Sequence, residues 1–141
     1  MKQNSNIIYR EKNPEKNEYF QLFDTTGWNA KYQMAASTLQ QAISNSWYSV
    51  SAYSRNRLIG YGRIISDGVQ HALLLDIIVL PEFQGRGIGG TILKKLVDRC
   101  LQSKICDIQL FSARGKTGFY ERNGFVVRPA DAPGMEYLHS D

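Results

Sequence analysis

Only two cysteines, Cys100 and Cys106, and two histidines, His71 and His139, occur in the 141-residue chain. Two thiols make no disulfide scaffold, and without a CxxC pair or more histidines no four-ligand zinc cluster can be assembled. Long apolar runs are missing too. The longest, residues 72–80, is broken by Asp76 and falls far short of a membrane span. No hydrophobic signal core lies near the first methionine. Repeats, low-complexity tracts and runs of like charge are also absent. The 17 basic and 13 acidic residues leave a net charge of +4 spread along the chain. That distribution argues against nucleic acid and only weakly for an anionic small ligand. What is present is ordinary: 43% hydrophobic and 21% charged residues, as in a globular domain. At this length one domain buries about two-thirds of its unfolded surface without staples. The expectation is a single domain over residues 1–141, cytoplasmic, with no membrane or nucleic-acid contact.

Along the chain, residues 7–9 read as a short strand. Asn13-Pro14 opens a helix, with asparagine as cap and proline at the first helical position. Tyr19, Phe20, Leu22 and Phe23 share one side of it, and it ends near Gly27. A loop with Trp28 and Tyr32 follows, and Ser37 caps a second helix through Leu39, Ala42 and Ile43. Residues 48–53, 58–66 and 71–80 have strand composition. Arg55-Asn56-Arg57 and Asp67-Gly68 join them into an antiparallel meander. The period then changes, with Ile88, Ile92, Leu93, Leu96, Val97 and Leu101 recurring at helical spacing. Residues 108–111 form a strand and 116–122 a short helix, which Asn123-Gly124 ends. Residues 125–127 and 136–138 are expected to close the sheet. The class is α/β, a mixed, mostly antiparallel sheet flanked by helices. The strand–helix–strand segment from residue 72 to residue 111 is a parallel crossover.

Between the crossover's first strand and its helix stands Gln84-Gly85-Arg86-Gly87-Ile88-Gly89-Gly90. Glycines let backbone approach a ligand and aim N–H groups at one point, and a helix N-terminus adds partial positive charge. Arg86 adds a full cation suited to phosphate. A plain turn needs fewer glycines than the four found in six positions. Three phosphate-binding patterns compete. The Walker pattern fails, because counting back from Gly115-Lys116-Thr117 puts its first glycine at Leu110. The dinucleotide pattern is formally met by Gly85, Gly87 and Gly90. Its context is wrong, since four residues separate strand from glycines and the preceding strands form a meander.

The third pattern fits. Residues 84–89 resemble the Q/R-x-x-G-x-G/A signature of the GNAT superfamily of acyl-CoA-dependent N-acetyltransferases. The run from Leu75 into Gln84 resembles that family's fourth strand, and residues 118–125, GFYERNGF, resemble its late FYxxxGF segment. The resemblance covers about residues 48–138 and is closest to small bacterial proteins related to arylalkylamine acetyltransferases. It implies the acyl-CoA N-acyltransferase fold, with strands four and five parallel and splayed apart at a bulge. It implies acetyl-CoA as cosubstrate and no metal. The pantetheine arm enters the splay like an added strand, on backbone groups of Ile78 and Val79. The pyrophosphate lies on the amides of Gly85, Arg86, Gly87, Ile88, Gly89 and Gly90, with Gln84, Ser112, Lys116 and Phe119 as further cofactor contacts. An amine attacks the thioester directly, a strand-four N–H, assigned to Ile78, steadies the oxyanion, and Tyr120 protonates the leaving thiolate. Asp76 is the candidate base. It also suits holding a water, binding the substrate cation or a structural pairing. Many family members carry an asparagine just after strand five, where this chain has Ala113.

Trp28, Tyr32, Trp47 and Tyr48 suggest an aromatic-lined acceptor pocket for a small aromatic or aliphatic amine, or they complete the core. Polyamines, aminoglycosides, amino acids and protein amines stay open. Homodimers are common in the family. Two rival functions remain: an acyl-CoA-binding regulatory module without turnover, and a dinucleotide-dependent oxidoreductase.

Overall fold

A computed structural model of the chain describes residues 6–140. They fall into two compact units, one ending at Leu110 and one beginning at Phe111.

In the first unit the described strands lie side by side in chain order: β1 (Ile7–Arg10), β2 (Tyr48–Ser54), β3 (Arg57–Ser66), β4 (His71–Val79) and β5 (Asp107–Leu110). Neighbours from β1 to β4 are antiparallel, and β4 with β5 is parallel. The β2–β3 turn forms without glycine, because Arg55 and Asn56 both take left-handed φ, 50° and 66°. The β3–β4 turn is closed by Asp67, whose Oδ1 accepts the N–H groups of Val69, Gln70 and His71 at 2.8, 2.7 and 3.1 Å.

Among the described residues of this unit, four α-helices form: α1 (Lys16–Asp24), α2 (Asn29–Tyr32), α3 (Ala36–Ser44) and α4 (Ile88–Gln102). Helix α1 starts later than expected. Glu15 caps it, accepting the Glu18 N–H at 3.2 Å. Asn13, read from sequence as the cap, faces inward instead. Its Nδ2 donates to Ile43 O at 2.9 Å, and its Oδ1 accepts the Tyr61 hydroxyl at 2.7 Å. The expected loop around Trp28 and Tyr32 contains the single turn α2. Ala35 occupies the N-cap position of α3, so Ser37 lies in its first turn and does not cap it.

Helix α4 packs on β2, β3 and β4, while α1 packs on α3, β3 and β4. The buried stripe of α4 is Ile88, Ile92, Leu93, Leu96 and Cys100. Leu101, expected in that stripe, is 58% exposed, because the four-residue spacing from Ile88 arrives at Cys100. Two glycines of β3 set the distance of α4 from the sheet. A Cβ at Gly62 would stand 2.8 Å from Ile92 Cγ2 and 3.0 Å from Leu96 Cδ1, and one at Gly60 would stand 3.0 Å from Ile92 Cδ1. Side chains alternate along a strand, so Tyr61 and Arg63 face the other layer. There Tyr61 meets the ring of Tyr19 on α1, with centroids 4.9 Å apart.

In the second unit α5 (Thr117–Arg122) ends where Asn123-Gly124 suggests. Phe125 N–H donates to Tyr120 O at 3.0 Å and Gly124 N–H to Glu121 O at 3.3 Å, with Gly124 at φ 94°. This is a Schellman closure. The strands expected over 125–127 and 136–138 do not form: among the described residues neither run joins a ladder. Val126, Val127, Tyr137 and Leu138 are 67–88% exposed. Apolar composition favours a strand only where a pleated face is buried against neighbours, and these three-residue runs, set off by Pro129 and Pro133, have no such face.

Candidate functional site

Strand β4 is held differently on its two edges. Toward β5 it makes four rungs, His71, Ala72, Leu73 and Leu74 opposite Asp107, Ile108, Gln109 and Leu110. There β5 ends, and β4 continues for residues 75–79 with no strand partner on that side among the described residues of the unit. Toward β3 the register shifts. Arg63 pairs with Leu75 but Tyr61 with Ile78, leaving Asp76 and Ile77 opposite Gly62 alone. This is a β-bulge, and Asp76 takes a left-handed φ of 54° in it.

The register also sorts the backbone groups beyond the bulge. Leu80 N–H donates to Ile59 O at 2.9 Å. Tyr61–Ile78 is therefore a hydrogen-bonded pair and Gly60–Val79 is not. The N–H of Ile78 points into the sheet, whereas the backbone groups of Val79 turn away from β3. The Val79 carbonyl accepts from Gln84 Nε2 at 2.9 Å.

From β4 the chain passes Leu80, a 3-10 turn over Pro81–Phe83, and an exposed stretch from Gln84 to Gly87. Gly85 and Gly87 have φ of 80° and 82°, which only glycine adopts without strain. Nothing lies within 4 Å of a Cβ built on either, so the space before them is open. Gly87 is the N-cap of the fifteen-residue α4 and has no side chain with which to cap it. The first-turn amides of Ile88, Gly89 and Gly90 are thereby left for an outside acceptor, at the positive end of the helix dipole. Arg86 lies back along the loop, its Nη2 3.2 Å from Glu82 O and its guanidinium 5.0 Å over the Phe83 ring.

Asp76 is ion-paired. Its Oδ2 accepts from Arg63 Nε at 2.7 Å, and the two side chains are 21% and 12% exposed. Arg63 Nη1 also donates to Ala42 O at 3.2 Å and Ser46 Oγ at 3.4 Å, at the end of α3. Sequence reasoning missed Arg63, although a cation well inside a strand, between apolar and small residues, signals a buried partner.

The four aromatic residues expected to line one pocket fall into two groups. Trp28 and Tyr32 gather on Phe23, with centroids 5.9 and 6.3 Å away. Trp47 and Tyr48 stand instead beside Arg99 of α4, whose guanidinium lies 4.3 and 5.7 Å from their rings. His71 is at the far end of β4, bonded through Nδ1 to Asp107. Cys100 is buried, which pushes its thiol pKa up, and Cys106 is exposed. Among the described residues no group of three or more His, Cys, Asp or Glu is placed to hold a metal ion.

The second unit carries the remaining candidates. Tyr120 lies on α5, its ring edge-on to Phe119 at 5.0 Å and to Phe125 at 6.1 Å. Burial pushes its phenol above the usual tyrosine range. Lys116 is exposed at the N-cap position of α5, and Ser112 spends its hydroxyl on Ala113 O at 2.8 Å.

Comparison with known proteins gives concordant results. A family model described as an acetyltransferase (GNAT) domain matches residues 11–133. An uncharacterized N-acetyltransferase, ycf52, of Porphyra purpurea is 30% identical over 128 residues, covering 88% of this chain and 72% of that protein. Serotonin N-acetyltransferase 2, chloroplastic, of Oryza sativa subsp. japonica is 31% identical over 106 residues, covering 72% of this chain and 53% of that protein. Among solved structures, a probable acetyltransferase from meticillin-resistant Staphylococcus aureus superposes with a TM-score of 0.80 at 23% identity, covering 94% of this chain and 99% of that one.

Proposed function

Because the chain belongs to the GNAT family and is an N-acetyltransferase, we propose that it moves an acetyl group from acetyl-CoA to a primary amine by direct attack. The observation that carries this reading is a continuity: a bulged strand with an open edge runs through Gly85 and Gly87 straight into an uncapped helix N-terminus. The open edge suits the amide-bearing pantetheine arm, and the amides from Gly85 to Gly90 suit the pyrophosphate. Arg86, on the same loop, brings a cation suited to phosphate, and Gln84 holds the Val79 carbonyl at the edge. Ser112, Lys116 and Phe119 are the further contacts of the proposal. We take both units as parts of one acetyltransferase domain, since the family match runs across both.

The neutral amine adds to the thioester carbonyl, and the C–S bond then breaks. A β4 N–H beyond the bulge steadies the oxyanion; the register favours Val79 over Ile78 for that part. The amine's proton passes to water, because Arg63 already occupies the Asp76 carboxylate. Tyr120 donates its proton to the departing thiolate. The Phe23–Trp28–Tyr32 cluster favours an acceptor with an apolar or aromatic body, in keeping with the serotonin acetyltransferase named above. The proposed site of action is the cytoplasm. That rice relative is named chloroplastic, and no helix among the described residues is long and apolar enough to cross a membrane.

The test is a panel of arylalkylamines, polyamines, aminoglycosides, amino acids and peptides with acetyl-CoA, following thiol release. Turnover on at least one amine is expected. CoA binding by calorimetry with no turnover on any amine would replace transfer by binding alone. Gly87→Val, which forces a β-branched residue into left-handed φ, is expected to weaken CoA binding at least tenfold.

A further inference from the structure

We infer that Asp76 serves the site through its backbone and that Arg63 is the positioning residue that holds it there, an inference that rests on the acetyl-transfer reading above. Asp76 is the one residue of β4 with positive φ, and it sits in the bulge. Aspartate tolerates this conformation better than most side chains, and glycine better still. Its carboxylate is tied at 2.7 Å to a guanidinium that is itself tied to the end of α3. That tie commits the carboxylate to Arg63, which opposes a role as base. The same tie fastens the bulge. That bulge is what advances the β4 register by one residue, so that Ile78 meets Tyr61 and Val79 turns to the open edge. The ion pair thus sets the direction of the backbone groups that the thioester arm would use.

Two variants that both lack the carboxylate separate the roles. Asp76→Gly accepts the left-handed φ and Asp76→Ala does not, so Asp76→Gly is expected to keep at least tenfold more kcat/KM for acetyl-CoA. The difference should lie mainly in KM and in calorimetric CoA affinity. Asp76→Asn, which tolerates the conformation and still accepts from Arg63, belongs with glycine and serves if the alanine variant does not fold. Arg63→Met should lose affinity in the same way, and adding Asp76→Gly to it should restore part of the loss. Equal losses of a hundredfold or more in kcat for the glycine, asparagine and alanine variants, with KM unchanged, would make the carboxylate a base and overturn the inference. Amide exchange at Ile77, Ile78 and Val79 in the free protein is the second measurement. It should be faster in Asp76→Ala and Arg63→Met than in Asp76→Gly, and identical exchange in all of them would also overturn it. A wild-type protein that neither binds CoA nor releases thiol would sink the acetyl-transfer reading, while the exchange pattern would still decide the bulge.

Discussion

Tyr120 is a phenol whose burial holds its pKa above the usual value, so it keeps its proton throughout the neutral and mildly alkaline range. The acid role proposed for it requires the phenol to be protonated when the C–S bond breaks. Tyr120→Phe keeps the ring contacts with Phe119 and Phe125 and removes only the hydroxyl. Turnover is expected to fall about a hundredfold, roughly 2.7 kcal/mol of barrier, with KM for acetyl-CoA nearly unchanged. Steady-state thiol release measures it, and an unaltered turnover number would remove the hydroxyl from the chemistry. Single residues were also where the sequence misled most. Asn13 has the chemistry of a cap, but a buried tyrosine hydroxyl and a carbonyl at the end of α3 competed for it and won. Asp76 could be placed on a strand and off its apolar set. Its partner could not, because which cation reaches it depends on a bulge whose register no local pattern encodes.

At the scale of elements, periodicity and turn chemistry were enough for the meander, for α4 and for the loop between them. The long amphipathic helix is set by its own spacing, and the hairpins by residues that tolerate left-handed φ. The missing strands after α5 show the complement: strand composition in a run of three residues says nothing without a neighbour to pair with. The glycines of β3 went unread because their reason lies on another element. Gly62→Ala places a methyl against Ile92 and Leu96, both fully buried. The expected cost is about 1–3 kcal/mol from overpacking. Urea denaturation should show a lower midpoint with an unchanged slope, and an unshifted midpoint would mean that α4 yields freely.

For the molecule as a whole, the buried tyrosines set an alkaline limit. Burial pushes the Tyr61 phenol up to about 12 and that of Tyr19 higher still. Below pH 10 both are neutral whether the chain is folded or unfolded, and neither affects the balance. As pH climbs from about 10 toward 12 the unfolded chain gives up these protons and the folded chain does not, so unfolding is favoured. Tyr61 alone should remove about 2–3 kcal/mol by pH 12. Urea midpoints at pH 8 and pH 11 measure the loss, and absorbance near 295 nm should show these two phenols ionising only with unfolding.

Chain order and spatial order coincide across the sheet, and that coincidence carries a timetable. The tight connections from β2 through β4 close small loops, at little entropic expense. The ends come late: Arg10 has to find Ser51, and His71 has to find Asp107. Long closures form slowly, so the parallel rungs assemble after the hairpins. A chain still emerging from the ribosome therefore owns a finished central meander before it owns the four parallel rungs between β4 and β5.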